Sequence, residues 1–335
     1  MAFDSSTPLL VDRFGRKMTY LRLSVTDRCD LRCRYCLPEH VRFQPRTELL
    51  TLEELALLSE AFIRRGVRKL RLTGGEPLVR RDVIELFRAL SRHLDSGALN
   101  ELTLTTNGTQ LARFADDLAA CGVARVNVSL DTLSPDRYRA ITRFGDISRV
   151  MAGLDAAQAA GLRVKLNAIA TRGAFEAEVD TLICFAHRRG MDLTLIEEMP
   201  MGETGRDRRG SFLPLDTLHA ELAERWTLTP SPQKTGGPAR YLRVEETGGT
   251  LGLISPMSCN FCAGCNRLRV SATGLLYPCM GNEGAVDLKD ALRNAPERLG
   301  ALIHSALDHK PRGHSFDADA LTAPTLPRHM SALGG

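Results

Sequence analysis

The sequence Cys29-Asp30-Leu31-Arg32-Cys33-Arg34-Tyr35-Cys36 places three thiols within eight residues, directly after an alternating apolar run. A closed structural zinc site takes four ligands, usually as cysteine pairs two residues apart, so this spacing is not typical of zinc. Cubane iron–sulfur clusters are ordinarily held by four cysteine thiolates. Three thiolates on one short loop predict a cluster with one iron left open. The alternative of three buried apolar thiols conflicts with the charged residues of the loop.

Composition and charge restrict the class of protein. A chain of 335 residues suits one large barrel or two domains. Its net charge of +4 is too small to predict nucleic-acid binding. The sequence has no apolar stretch of membrane-spanning length and no signal peptide, which predicts no membrane association. Six of the nine cysteines fall in two tight groups, which predicts metal or cluster ligation in the reducing cytoplasm.

A unit of one short strand, a turn and an amphipathic helix occurs six times. The predicted strands are Tyr20–Val25, Lys69–Thr73, Glu101–Thr105, Arg125–Leu130, Arg163–Ile169 and Asp192–Ile196. The predicted helices are 51–65, 80–94, 110–121, 135–142, 148–160 and 176–189. Strands that alternate with helices of this length predict parallel βαβ units, and six units make a partial (β/α)6 TIM-like barrel of the α/β class. A proline- and glycine-rich connector at 230–239 separates it from a predicted smaller α+β domain.

Each predicted strand carries apolar residues on one face and polar residues on the other, as in Leu21-Arg22-Leu23-Ser24-Val25. Helices outside the barrel need the apolar face, so the polar face points inward. Unpaired charges are costly to bury, and the alternation therefore predicts a polar cavity for a charged ligand. An antiparallel sheet with its polar side in water is the alternative, and the intervening helices argue against it.

Further motifs follow the predicted strands at their C-terminal ends, where active sites of such barrels lie. These are Thr73-Gly74-Gly75-Glu76-Pro77, Thr105-Thr106-Asn107-Gly108 and Ser129-Leu130-Asp131. Two adjacent glycines allow the backbone to approach a ligand closely. Taken alone, Gly-Gly-x-Pro is also an ordinary turn signal.

Cys-x3-Cys-x2-Cys with an aromatic residue before the last cysteine resembles the signature of the radical S-adenosylmethionine (SAM) enzymes. In that superfamily the open iron binds SAM, and an electron from the cluster cleaves SAM to methionine and a 5′-deoxyadenosyl radical. The resemblance implies that Cys29, Cys33 and Cys36 hold a [4Fe–4S] cluster. It implies SAM contacts at Tyr35, Gly75, Ser129 and Met199.

A second cysteine group, Cys259-Asn-Phe-Cys262-Ala-Gly-Cys265, is followed by Cys279 beyond a predicted hairpin. Four cysteines fit a closed zinc site and three fit a second open-iron cluster, and the spacing leaves both open. Arg267 and Arg269 point to the same side of the next predicted strand. Two guanidiniums match an anion such as a polyphosphate, although a solvated basic strand has the same pattern.

Phe-Cys-x2-Cys-Asn-Arg-x-Arg resembles the molybdenum-cofactor GTP 3′,8-cyclases, the MoaA family. The opening Val11-Asp-Arg-Phe-Gly-Arg16 resembles that family as well, and Gly334-Gly335 resembles its diglycine tail, which enters the active site. Two terminal glycines are also what a frayed end would show. The resemblance implies a second [4Fe–4S] cluster on Cys262, Cys265 and Cys279, with Cys259 as an extra thiol. It implies GTP contacts at Arg22, Arg71, Thr105, Lys165, Arg267 and Arg269.

The resemblance implies a lyase that converts GTP to 3′,8-cyclo-7,8-dihydro-GTP, the first step of molybdopterin biosynthesis. Its cofactors would be two [4Fe–4S] clusters and SAM, and its partners GTP, a reducing electron donor and the next enzyme of the pathway, with a homodimer left open. The implied domains are a barrel with the first cluster at 1–229 and a domain with the second cluster and the diglycine tail at 230–335. The rival hypotheses are a radical SAM peptide-modifying enzyme with an auxiliary cluster and a zinc-bearing C-terminal binding module.

One departure from the family pattern concerns the sixth predicted strand. Many relatives carry an arginine on the nucleotide at the position of Thr194. The loss of one charge-assisted contact is expected to weaken GTP binding by ~1.5–3 kcal/mol. Arg206, Arg208 and Arg209 are the nearby candidates to compensate for it.

Overall fold

The computed structural model describes residues 8–204, 207–316, 321 and 324–334. Within these ranges twelve strands form one sheet in the order β12-β11-β10-β1-β2-β3-β4-β5-β6-β9-β8-β7. The strands are β1 Tyr20–Ser24, β2 Lys69–Thr73, β3 Glu101–Thr106, β4 Arg125–Ser129, β5 Arg163–Ala170, β6 Asp192–Glu197, β7 Leu228–Pro230, β8 Arg240–Val244, β9 Gly249–Ile254, β10 Arg267–Val270, β11 Leu275–Tyr277 and β12 Val286–Asp287.

The described residues also form ten helices, and those between the barrel strands cover the outer face of this sheet. The helices are α1 Leu52–Arg64, α2 Val83–Asp95, α3 Leu111–Ala120, α4 Pro135–Thr142, α5 Ile147–Ala159, α6 Val179–Arg188, α7 Leu215–Ala223, α8 Lys289–Asn294, α9 Leu299–Asp308 and α10 Met330–Leu333. Strands β1 to β6 pair in parallel with their neighbours in chain order. This confirms the predicted partial (β/α)6 barrel, and the predicted strand ends are correct to within one residue.

The apolar face of the barrel strands forms the core, as the alternation predicted. Leu21, Leu23, Leu70 and Leu72 are fully buried, and they share one continuous cluster with the apolar sides of the helices. Helix α1 begins at a capping box in which Thr51 and Glu54 bond each other's backbone N–H groups, which fixes where the helix starts. The residues between the buried leucines consequently point to the inside of the barrel.

Two C-terminal strands extend the parallel sheet, one at each edge. Strand β10 pairs in parallel with β1, and β9 pairs in parallel with β6. Eight adjacent strands are therefore parallel, from β10 through β1–β6 to β9, although only six belong to consecutive βα units. Strands β11 and β8 then add in antiparallel orientation at the two edges. The chain after the barrel thus brings its own residues to both sides of the barrel opening.

A separate observation concerns membranes. No helix within the described ranges has the length and apolar character that crossing a bilayer requires.

Candidate active site

One cavity of about 310 Å³ is lined by every residue that we predicted from the sequence to bind SAM, GTP or a cluster. The first thiol group and the residues predicted to contact SAM contribute Cys29, Cys33, Cys36, Tyr35, Gly75, Ser129 and Met199. The second thiol group and the residues predicted to contact GTP contribute Cys262, Cys265, Cys279, Arg22, Arg71, Thr105, Lys165, Arg267 and Arg269. Residues more than 250 positions apart in the sequence therefore face the same space.

The loop that carries the first three thiols is held by the segment after β3. The carboxylate of Asp30 accepts hydrogen bonds from Asn107 Nδ2 and Thr109 Oγ1, both at 2.7 Å. Asn107 Nδ2 also lies 3.8 Å from the Sγ atom of Cys29. Burial raises the pKa of the Cys29 thiol to about 12, so a bound metal must displace its proton. The motif after β3 thus positions a thiol that stays protonated until metal binds.

Gly74 and Gly75 are required by backbone packing. A Cβ atom on Gly75 would lie 2.4 Å from the carbonyl oxygen of Arg28, and one on Gly74 would lie 2.6 Å from that of Thr26. The N–H of Gly75 donates to the Thr26 carbonyl at 2.8 Å. The sequence interpretation attributed these glycines to close approach of a ligand. The structure shows that they let the end of β2 pack against the start of the thiol loop.

Two carboxylates follow the ends of β2 and β4: Glu76 is fully buried, and Asp131 is partly buried and lines the cavity. Glu76 accepts from Leu78 N, Thr106 Oγ1 and Asn107 N at 3.0, 2.8 and 2.6 Å, and burial raises its pKa to about 7. Asp131 accepts from the hydroxyl of Tyr35 and from Ile169 N, each at 2.8 Å, and burial raises its pKa to about 6. Both groups fix the backbone that follows a barrel strand, and Asp131 also orients the aromatic ring between two of the thiols.

The cationic residues form a row because of strand register. Arg22 of β1 is the direct neighbour of Arg71 on β2 and of Arg269 on β10. Arg22 Nε is buried without a hydrogen-bond partner among the described residues, and burial together with Arg269 holds its pKa well below the usual range. Three guanidiniums side by side repel one another unless an anion lies between them. The row is therefore suited to a multiply charged anion such as a polyphosphate.

The sequence analysis assigned no role to several other residues that line the cavity. Tyr20, Arg125 and Tyr241 are examples. Arg125 could have been predicted from the sequence, because it lies two positions before Asn127 on β4 and therefore shares its inward face. Tyr241 could not have been predicted. Its strand β8 pairs with β9, and β9 joins the barrel by pairing in parallel with β6.

The second thiol group lies on two segments of the chain, one between β9 and β10 and one directly after β11. Cys262 and Cys265 flank a short 3-10 turn, Cys279 follows β11, and Cys259 is not among the described residues that line the cavity. Burial alone would raise the pKa of the Cys265 thiol, but the cations of Arg267 and Lys310 outweigh it and lower the pKa to about 7. This thiol therefore ionises more readily than those of the first loop.

Each donor set offers three thiols, the ligand type that holds iron–sulfur clusters. No three His, Cys, Asp or Glu side chains of the described residues converge on one metal-ion position. A cubane cluster does not need such convergence, because each thiolate binds a different iron. Six of these cysteines are free of disulfide bonds and line the cavity: Cys29, Cys33, Cys36, Cys262, Cys265 and Cys279.

The tail of the chain reaches the row of arginines. Arg269 Nη1 donates to the carbonyl oxygen of Gly334 at 2.7 Å. Gly334 has a φ of +69°, and a Cβ atom there would lie 1.8 Å from Thr73 Oγ1. Gly335, the second residue of the predicted diglycine tail, lies outside the described residues.

Thr194, which departs from the family pattern, is fully buried, and its Oγ1 has no hydrogen-bond partner among the described residues. It is not one of the described residues that line the cavity. Arg208 is buried and pairs with Glu198 at 3.3 Å, and Arg209 pairs with Asp207 at 2.6 Å. Neither arginine lines the described cavity. Arg206 lies outside the described residues.

Comparison with known proteins defines the class first. The profile of the Radical SAM superfamily matches residues 23–186, and that of Molybdenum Cofactor Synthesis C matches residues 191–316. The structure of Streptococcus suis SuiB bound to S-adenosylmethionine has a TM-score of 0.63 at 14% identity and covers 96% of this chain and 72% of that chain. The structure of native anSMEcpe with bound AdoMet has a TM-score of 0.63 at 15% identity, and the match covers 87% of this chain and 82% of that chain. At these identities the likeness shows the fold, a radical SAM barrel.

Closer relatives define the family. The GTP 3′,8-cyclase of Nitrobacter winogradskyi is 59% identical over 333 residues, which cover 99% of this chain and 97% of the relative. That of Brucella melitensis biotype 2 is 57% identical over 334 residues, with the same coverage. The chain belongs to the GTP 3′,8-cyclase family of radical SAM enzymes, as its motifs predicted. Membership of this family favours iron–sulfur clusters over zinc at the second cysteine group.

Proposed function

We propose that this chain converts GTP to 3′,8-cyclo-7,8-dihydro-GTP with SAM as co-substrate, the first step of molybdopterin biosynthesis. The observation that carries the proposal is the row formed by Arg269, Arg22 and Arg71, which lies in the same cavity as both thiol groups. A nucleotide bound by its triphosphate to this row would lie within a space that SAM also enters. That arrangement matches a reaction between the two molecules.

The first thiol group and its surroundings are proposed to hold SAM. Cys29, Cys33 and Cys36 would hold a [4Fe–4S] cluster whose fourth iron binds SAM, and Tyr35, Gly75, Ser129 and Met199 would contact SAM. With SAM bound, this cluster would supply the electron that cleaves SAM to methionine and a 5′-deoxyadenosyl radical. The hydrogen bonds that Asp30 accepts from the segment after β3 hold the loop in place.

The cations are proposed to hold the triphosphate. Arg22, Arg71, Arg267, Arg269 and Lys165 would bind its oxygens, and Thr105 would donate or accept a further hydrogen bond. Arg71 already donates to the hydroxyls of Thr103 and Thr105, at 3.2 and 3.4 Å, so its guanidinium is held in place before substrate arrives. Preorganised donors of this kind bind an anion with little loss of side-chain entropy.

The second thiol group is proposed to hold the guanine. Cys262, Cys265 and Cys279 would carry a [4Fe–4S] cluster whose open iron takes a ring nitrogen of the base. The triphosphate row and this cluster would together fix both ends of GTP, so that its ribose faces the SAM side of the cavity. Holding the ribose there, away from water, is the part of catalysis that these residues supply.

Several finer points belong to the same proposal. The clusters require a reducing compartment, so we place the enzyme in the cytoplasm, supplied by a reducing electron donor and followed by the next enzyme of the pathway. We propose the boundary between the two domains between residues 229 and 230, where the proline- and glycine-rich connector begins. We also propose that the chain forms a homodimer. The molar mass of the purified protein, measured by light scattering, tests this.

The activity is tested by anaerobic reconstitution with iron and sulfide, followed by dithionite and SAM with and without GTP. We expect 5′-deoxyadenosine and a cyclised nucleotide, both dependent on GTP. Cys29→Ala should form neither product, whereas Cys121→Ala, a substitution in the core outside the cavity, should form both. Cleavage of SAM that is indifferent to GTP would contradict the proposed substrate while leaving the radical SAM activity intact.

A further inference from the structure

Lys310 is a buried cation beside the second thiol group. It follows α9 and is only 2% exposed. Its Nζ atom lies 3.6 Å from Cys265 Sγ, 3.0 Å from the carbonyl oxygen of Arg267 and 2.5 Å from that of Pro278. An ammonium group has three N–H donors and no acceptor. Three acceptors therefore account for all its donors, which is the geometry of a protonated lysine.

The negative charge that balances Lys310 comes from the thiol site. Among the described residues, the ion pairs of the C-terminal segment join Lys289 to Glu48 and Arg293 to Glu54, and none joins Lys310 to a carboxylate. A buried ammonium without an opposite charge is strongly unfavourable. Among the described residues that accept a hydrogen bond from Lys310 Nζ, Cys265 is the one that becomes anionic, once it binds metal as a thiolate.

Lys310 also joins the segments that carry the thiols. The Arg267 carbonyl lies two residues after Cys265, and the Pro278 carbonyl directly precedes Cys279. Arg16 makes a parallel set of contacts, since it donates to the carbonyl of Cys262 at 2.8 Å and to that of Pro311 at 2.6 Å. Arg16 and Lys310 thus hold all three thiol-bearing segments together, and of these two cations Lys310 is the one that contacts the sulfur of Cys265 in the described part of the chain.

We propose that Lys310 is the electrostatic and positioning partner of the second cluster: its ammonium donates a hydrogen bond to the Cys265 ligand and raises the reduction potential of the cluster. The inference rests on the proposed function in one respect, the assignment of Cys262, Cys265 and Cys279 as ligands. One-electron reduction adds a negative charge to a cluster, and a buried positive charge on a ligand sulfur stabilises the reduced form. Hydrogen bonds to the sulfurs act in the same direction.

The test uses full-length chain in which Cys29, Cys33 and Cys36 are replaced by serine, so that only the second cluster is reconstituted. Its potential is measured by anaerobic redox titration followed by electron paramagnetic resonance. In this triple-serine parent protein, Lys310→Met should shift the midpoint potential of the second cluster to a lower value. The fraction of reduced cluster at the parent's midpoint potential should then fall several-fold. Lys310→Arg, which keeps the charge, should stay near the parent. Lys289→Met is the matched control, because this lysine pairs with a carboxylate away from the thiols.

Each result separates charge from packing. An unchanged midpoint in Lys310→Met with iron retained would overturn the proposal, as would equal loss of iron from Lys310→Met and Lys310→Arg. Loss of iron from Lys310→Met with retention in Lys310→Arg would show that the cluster needs the charge to assemble, which supports the proposal. If the parent protein itself binds no iron, the assignment of Cys262, Cys265 and Cys279 as ligands is refuted, and so is the proposed role of Lys310.

Discussion

Lys165 donates a hydrogen bond from Nζ to the hydroxyl of Tyr241 at 2.7 Å, joining the fifth barrel strand to the first strand after the proline- and glycine-rich connector. The same hydroxyl shares a second hydrogen bond of 2.7 Å with Thr235 Oγ1, and Nζ lies 4.5 Å from the centre of the Tyr241 ring. The connector and its strand therefore provide a hydrogen-bond partner for a cation that we propose to bind GTP.

Tyr241→Phe is expected to lower the free energy of unfolding by ~1–3 kcal/mol, because it leaves the buried Lys165 ammonium without this acceptor. Urea unfolding of the reconstituted protein under anaerobic conditions measures the change. Tyr138→Phe is the matched control, since the buried Tyr138 hydroxyl has no hydrogen-bond partner among the described residues. Equal losses of stability in the two variants would show that the hydrogen bond to Lys165 contributes nothing.

The affinity for GTP is expected to fall as the pH rises above about 7. Burial, and after it the cation of Arg125, lowers the pKa of Lys165 to about 7. A polyanion binds the charged ammonium, which is present below this pKa and is lost above it. The decline can approach about tenfold per pH unit until the pKa of Lys165 in the complex is reached.

Calorimetric titration of GTP between about pH 6.5 and 8.5 measures this dependence. The comparison is made with Lys165→Arg, whose guanidinium stays charged throughout the range. Titration of the γ-phosphate affects both proteins equally, so the difference between their profiles reports Lys165. Parallel profiles for the two proteins would contradict the prediction.

Cys262→Ala is expected to halve the iron content, from about eight to about four atoms per chain, because the second cluster loses a ligand. Cys259→Ala should leave it unchanged, since Cys259 is not among the described residues that line the cavity. Iron and zinc analysis of the purified variants, together with the absorption of the clusters, distinguishes them. Zinc in place of iron, or loss of metal from Cys259→Ala, would restore the closed four-cysteine site as the better interpretation.

Gly334→Ala is expected to displace the tail from Thr73 and Arg269. The added Cβ atom would lie 1.8 Å from Thr73 Oγ1, in addition to the strain of a φ of +69°. Gly97→Ala carries the same backbone strain at a φ of +70°, of about 1 kcal/mol, but its Cβ atom meets nothing within 4 Å.

Hydrogen–deuterium exchange of peptides that cover 324–334 measures the displacement. Exchange should increase in Gly334→Ala and stay unchanged in Gly97→Ala. If both variants exchange as slowly as the original protein, the contact between Gly334 and Arg269 does not hold the tail.

Much of the barrel was predictable from the sequence. The alternation of Leu21, Leu23 and Val25 with Arg22 and Ser24 repeats in each barrel strand, because a parallel strand under helices must bury one face. The same period decided that Arg22, Arg71 and Lys165 point inward. Local physics sets this periodicity, and it needs no knowledge of the partner strands.

The relative positions of those residues were not predictable in the same way. No pattern in β10 shows that it pairs in parallel with β1, so nothing in the sequence placed Arg269 beside Arg22. Gly74 and Gly75 looked like a ligand-binding turn, and only the packing against Thr26 and Arg28 shows what they do structurally. Lys310 had no motif at all, since its partners come from the turn at Cys265 and the segment before Cys279.

The sequence by itself determined the thiol spacing, the βα periodicity and the inward face of each barrel strand. All three follow from covalent spacing and from the burial of one face, which act over a few residues. The tertiary structure alone decided that the C-terminal strands extend both edges of the barrel, and that the two thiol groups and the row of arginines meet in one cavity. Pairing between distant strands depends on which edges remain free after the barrel folds, and a short sequence window carries no information about that.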